Sequence, residues 1–188
     1  MTRPIVNVAA FQVCWFACVG GAARGLPWLG PLAVAAYAAG YLRTVPSGRA
    51  RTRQAWLLVL AGAAGYVADS ILVLSGVLTF PPQAVLGWPS TAWMVALWVL
   101  QAAVLGGVMS WMRGRFLLAA VVGAAGGPLA YLAGERMGAA VLGPSQAVAL
   151  AAIGVEWAVA MPLLVWMERR ARLEPGAAGR LIGERLAR

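Results

Sequence analysis

The sequence contains no histidine and no lysine; its 15 basic residues are all arginine. The first absence removes the commonest metal ligand and general base. Ser-His-Asp and Cys-His catalysis and His-ligated haem are excluded with it. The second excludes Schiff-base chemistry and a phosphate-binding P-loop lysine. Charge of either sign is scarce, at 11% of residues with only 6 acids. What fills the chain instead is apolar: 62% hydrophobic residues and a mean hydropathy of +0.78 over 188 residues. A soluble domain carries about 25% charged residues, and a chain of this length cannot hide so much apolar surface from water. The expected class is an all-α, polytopic membrane protein. The two cysteines, Cys14 and Cys18, stand one helical turn apart with no partner ligands nearby, so they read as packing residues. No metal and no cofactor is expected.

Six apolar stretches follow, at about 5–23, 26–42, 54–78, 90–112, 116–134 and 145–167. Turn signals separate them: Gly25-Leu26-Pro27, Pro46-Ser47-Gly48, Pro81-Pro82, Arg113-Gly114-Arg115 and Gly143-Pro144. Alternate loops differ sharply in arginine. One side of a six-span arrangement carries thirteen and the other only Arg24 and Arg136. Cytoplasmic loops hold the excess of basic residues, so both termini are expected in the cytoplasm. The net charge of +9 is thus a topology signal and does not call for nucleic acid. Trp56, Trp111 and Trp166 fall near the inner interface, and Trp28 and Trp88 near the outer one. The chain divides into a transmembrane domain, 1–168, and a basic amphipathic cytoplasmic tail, 169–188.

Two acids stand inside apolar stretches. An acid in the bilayer core costs at least about 2.5–3.5 kcal/mol on insertion scales, so it faces the bundle or a cavity and is a functional candidate. Asp69 lies about 22 Å along the third helix and Glu156 about 16 Å along the sixth. Gln101 of the fourth helix lies at about the same depth. The three could share one layer. Asp69 shares its stripe with Gly62, Gly65, Tyr66, Val73 and Gly76, and Glu156 shares its own with Ala149, Ala152 and Ala160. Small residues admit close helix neighbours. The fifth helix adds Gly123, Gly126, Gly127, Pro128 and Tyr131, and the Gly123/Gly127 spacing suits close packing. Three accounts of the acids stand open: they share a proton, Arg24 or Arg136 reaches inward to them, or each is a neutral hydrogen bonder between helices. The candidate ligand-binding residues are Asp69, Tyr66, Gln101, Glu156, Tyr131 and Trp98, with Asp69 and Glu156 also the catalytic candidates.

Several motifs carry a family resemblance. They include Asn7-(x4)-Gln12-(x2)-Trp15-Phe16-Ala17-Cys18 and Pro27-Trp28-Leu29-Gly30-Pro31. Asp69-Ser70 follows, then Trp93-Met94-(x)-Ala96-Leu97-Trp98, then Gly126-Gly127-Pro128-Leu129-Ala130-Tyr131, and finally Glu156-Trp157. Together they resemble a bacterial inner-membrane family known as domain of unknown function 2878. The resemblance spans nearly the whole chain apart from the tail. It implies a small multi-pass protein of the bacterial cytoplasmic membrane, with Asp69 and Glu156 in family motifs. A second segment, Asp69-(x6)-Gly76-Val77-Leu78-(x)-Phe80-Pro81, is similar to part of the membrane carotenoid and terpene cyclases. Their Pro-x-Glu-Glu motif is replaced here by Trp93-Met94-Val95-Ala96-Leu97-Trp98.

The expected function is binding of a lipid or other hydrophobic small molecule, or support of membrane-lipid modification. One alternative is a membrane enzyme using Asp69 and Glu156 as acid and base on an apolar substrate. Another is a small proton-coupled carrier using the same pair. Membrane lipids are the expected partners, with a homo-oligomer or a lipid-modifying protein as further candidates.

Overall fold

The structure, a computed structural model, describes residues 4–172. The rest of the expected cytoplasmic tail, 173–188, lies outside the described residues. Six helices form the body: α1 (Pro4–Ala23), α2 (Leu29–Thr44), α3 (Arg49–Leu74), α4 (Ala92–Leu105), α5 (Phe116–Arg136) and α6 (Gln146–Arg172). Two two-residue strands, β1 (Leu78–Thr79) and β2 (Val141–Leu142), pair antiparallel, with Leu78 opposite Leu142 and Thr79 opposite Val141.

The breaks fall where the turn residues stand. Helix α3 ends in a Schellman motif: Gly76 takes φ +74°, its N–H bonds to Val73, and the Val77 N–H reaches back to Leu72. Glycine is needed there because other residues resist the left-handed conformation. The expected fourth stretch, 90–112, is not one helix. Helix α4 stops after 14 residues at Leu105, and a separate 3-10 turn covers Ser110–Met112. Gly106 and Gly107 interrupt it, and the exposed C-terminal carbonyl of Gly106 is taken by Arg172 Nη2 at 2.7 Å. A cation at a helix C-terminus is the favourable sign.

Side-chain ties sort the connections into two ends. At one end the β1–β2 pair joins the α3–α4 and α5–α6 connections, and Gly143 N–H donates to Val77 O at 2.9 Å. Glu135 accepts from Leu142 N–H at 3.0 Å and from Gln146 Nε2 at 2.8 Å. A 3-10 turn at Pro82–Ala84 packs there on α1. At the other end Tyr41 donates to Gln54 at 3.0 Å. Glu168, only 2% exposed, is held between Arg113 at 3.4 Å and Arg172. The helices therefore alternate in direction, and the arginine-rich connections share one end.

Helices α1, α3, α5 and α6 are long and apolar enough to cross a membrane. Their outward faces match: Leu117 is 80% exposed, Val155 68% and Leu129 66%. Water would not tolerate such a surface, whereas hydrocarbon does. The tryptophans divide in the same sense. Trp28, Trp56, Trp88, Trp111 and Trp166, the five placed at interfaces by the sequence, are all exposed. The remaining four, Trp15, Trp93, Trp98 and Trp157, turn inward.

Candidate functional site

Asp69 lies on the buried face of α3, with no exposed surface at all. Trp98 Nε1 of α4 donates to its Oδ2 at 3.0 Å, and the Tyr131 hydroxyl of α5 donates to its Oδ1. One carboxyl thus ties three helices together. The approach is close because Gly65, one turn before Asp69, leaves room for the Trp98 indole; a Cβ there would overlap the ring. Behind Trp98 stands Trp157 of α6, stacked on it with centroids 4.8 Å apart and planes 25° from parallel. Trp157 is seated in turn by Gly127 of α5, where a Cβ would fall 2.5 Å from the indole. Small residues on α3 and α5 thus set the indoles, and the indoles set the wall of a cavity.

That cavity has a volume of about 370 Å³, within the roughly 300–1,000 Å³ of small-molecule sites. It runs as a groove between α1 and α5, with α4 as its floor and Trp157 and Met161 of α6 at its back. Helix α1 contributes the bulky side chains Phe11, Trp15 and Val19, while α5 contributes Gly123, Gly126, Gly127 and Gly134. The exposed Phe16 and Gly126 flank its mouth halfway along their helices, so it opens sideways. A smaller cavity of about 190 Å³ continues it past Phe11, Gln101 and Met109 toward the arginine-rich end. At the opposite end the loop is fixed. Thr91 donates to Ala84 O and accepts from Leu86 N–H, and Trp93 Nε1 donates to Ala84 O at 2.9 Å.

The sequence candidates separate on this frame. Trp98, Tyr131 and Gln101 line the groove, and Asp69 holds the first two from behind. Gln101 does not bond to either acid; its amide points to the sulfurs of Met109 and Met161 at 3.3 and 3.5 Å. Glu156 sits next to Trp157 in α6, and both its carboxyl oxygens are buried with no hydrogen-bond partner. The two acids are not bonded to each other: Asp69 accepts from Trp98 and Tyr131, and Glu156 has no partner. Neither outer arginine reaches them: among the described residues the ion pairs are those of Glu168, and Arg24 donates to Gly20 O. Tyr66 stands apart, 39% exposed, with its hydroxyl on the Trp88 carbonyl at 3.0 Å. The cysteines pack α1 on α2: a Cβ at Gly30 would meet Cys18 Sγ at 2.6 Å, and Cys14 Sγ lies 3.7 Å from Ala33 O.

The α1 lining was not singled out from the sequence. Its signal is there in hindsight of the packing: Phe11, Trp15 and Val19 recur at helical spacing opposite a glycine-rich α5, so large side chains face small ones across an incomplete interface.

A helical bundle with apolar outer faces, four membrane-length helices and a lateral apolar groove defines a membrane-embedded protein. Within that class the chain belongs to the family described as protein of unknown function (DUF2878), which matches residues 4–163, covering α1 to α5 and the first two thirds of α6. No curated protein and no solved structure matches the chain.

Proposed function

We propose that this protein spans the bacterial inner membrane six times, with both termini in the cytoplasm, and holds a hydrophobic small molecule in the groove between α1 and α5. The carrying observation is the groove itself: about 370 Å³, lined mainly by aromatic, aliphatic and glycine residues with Gln12 and Gln101 among them, and open sideways at mid-helix. Such an opening admits a ligand from the hydrocarbon. The few polar groups beside it orient aromatic walls: Asp69 already accepts two hydrogen bonds, which supports a positioning role over acid–base chemistry. The shared end of the arginine-rich connections supports the topology.

Gly126 gives the test. It lines the groove, and a Cβ added there meets nothing within 4 Å. Gly126→Phe should fill the groove and leave the bundle intact. Native mass spectrometry of the purified protein should find a hydrophobic molecule on the wild type and none on the variant. Equal retention by both would overturn the assignment. For topology, reporters fused after Gly48 and after Arg188 should read as cytoplasmic, and one after Pro82 as periplasmic. A periplasmic signal from the Arg188 fusion would refute it.

A further inference from the structure

The groove carries no charge, yet it is not wholly apolar. Among the described residues, no charged side chain lines it or the smaller cavity that continues it. Several of its polar side chains are committed within the protein: Tyr131 and Trp98 donate to Asp69, and Trp93 donates to Ala84 O. Two carboxamides in the lining, Gln12 of α1 and Gln101 of α4, keep hydrogen-bonding capacity in reserve.

Gln12 stands inside the membrane-length apolar stretch Val6–Ala23 and is exposed. No hydrogen bond joins its amide to another described residue. A carboxamide has two donors and an acceptor, and hydrocarbon offers a partner to none of them. Gln101 is half committed. Its Nε2 faces the sulfurs of Met109 and Met161 at 3.3 and 3.5 Å. A thioether accepts but cannot donate, so the NH₂ belongs on that side and the carbonyl oxygen on the other. That oxygen accepts no hydrogen bond among the described residues and, unlike the carboxyl oxygens of Glu156, is not sealed off.

Both amides stand at one end of the groove. Gln12 follows Phe11, and Phe11 and Gln101 also line the smaller cavity toward the arginine-rich end. The far end, at Val19, Gly134 and Ala140, is apolar. The groove is therefore polarised by neutral groups: amides at one end and hydrocarbon at the other.

We propose that the groove takes an uncharged amphiphile with a hydroxylated head, the head held by Gln12 and Gln101 and the chain running toward Val19 and Gly134. The proposal rests on the groove being a hydrophobic ligand site. The Gln101 oxygen needs a donor, which a hydroxyl supplies and an ester or ether does not. Gln12 bonds donors and acceptors alike. A charged head would be buried in a lining that holds no counter-ion.

The test uses four probes with one dibrominated C18 chain: the monoglyceride, the long-chain alcohol, the methyl ester and the ionised fatty acid. Bromine quenches nearby indoles, and four tryptophans line the groove. The probes are titrated into the full-length protein in amphipol, and the quenching that Gly126→Phe removes is taken as binding in the groove. At least one hydroxylated probe should bind about tenfold more tightly than the methyl ester. Which one does so names the head as a glyceride or a simple alcohol. Gln101→Leu should cut that preference about threefold or more, and Gln12→Leu with Gln101→Leu should abolish it while methyl ester still binds. Gln12→Leu breaks no hydrogen bond between described residues and should by itself weaken the hydroxylated probe about threefold, which keeps the test decisive if the other variants do not purify. Equal binding of ester and hydroxylated probes to the wild type would overturn the head site. Tightest binding of the fatty acid would do so too, as would a preference untouched by the substitutions. Quenching by every probe that Gly126→Phe leaves unchanged would instead reject the groove as a ligand site.

Discussion

Replacing Asp69 with leucine should destabilise the bundle by about 2–4 kcal/mol. The change strands two buried donors, Trp98 Nε1 and the Tyr131 hydroxyl, and an unsatisfied buried donor costs about 1–3 kcal/mol. Hydrogen bonds within membranes average less, near 0.6 kcal/mol with a maximum of about 1.7, which holds the total to this range. Asn should cost less. It keeps one acceptor oxygen, but its amide nitrogen meets the other donor. Tyr131→Phe removes one donor and leaves Asp69 with Trp98, so it should be the mildest of the three. The order Leu, Asn, then Tyr131→Phe is measurable by thermal unfolding in detergent, followed by tryptophan emission. The combination of Asp69→Leu, Trp98→Phe and Tyr131→Phe should regain much of the loss, because no polar group is then left without a partner. Leucine tolerated as well as aspartate in the single variant would mean that the three-helix tie does not hold the wall.

The second large effect separates two glycines on one helix. Gly123→Leu should destabilise by about 3 kcal/mol or more. Its Cβ would fall on the Trp157 carbonyl, with Met161 Cγ at 2.8 Å. The first of these is backbone, which cannot swing aside, so α5 and α6 must separate. They form the most extensive helix pairing in the molecule. Gly126→Leu, three residues on, should change stability by about 0.5 kcal/mol or less, because its Cβ meets open space and leucine favours the helix. Detergent melts of the two variants, with retention of any co-purifying hydrophobic molecule as a second readout, check the pair. Similar losses in both would mean that the groove is filled by protein rather than open.

The contrast shows what a sequence pattern carries. The spacing of Gly123 and Gly127 reads as suited to close packing, and both lie against α6. What no spacing tells is that Gly126, beside them, faces the groove. Proline tells a similar story. Pro128 removes the donor that Ala124 O would receive in a regular helix, and Gly154 of α6 packs against both, at 3.3 Å from that carbonyl and 3.5 Å from the ring for an added Cβ. The carbonyl and ring thus become a surface for α6.

The amino-acid sequence by itself determined the membrane class, the six helices, their turns and the arginine asymmetry. These depend on transfer from water, backbone chemistry and charge, which act on each segment nearly alone. It also placed Asp69 on an inward stripe, because helical periodicity relates residues of one helix. Tertiary structure decided the rest. It joined Asp69 to Trp98 and Tyr131 rather than to Glu156, set Tyr66 on the Trp88 carbonyl, and split the expected fourth span at Gly106. It also left α1 and α5 far enough apart for a groove. The physical reason is that a pattern along one helix gives a face but neither the rotation of its neighbour nor the shift along its axis. Those are set by how large side chains such as Trp98 and Trp157 seat against glycines on other helices, and a displacement of one turn changes every partner.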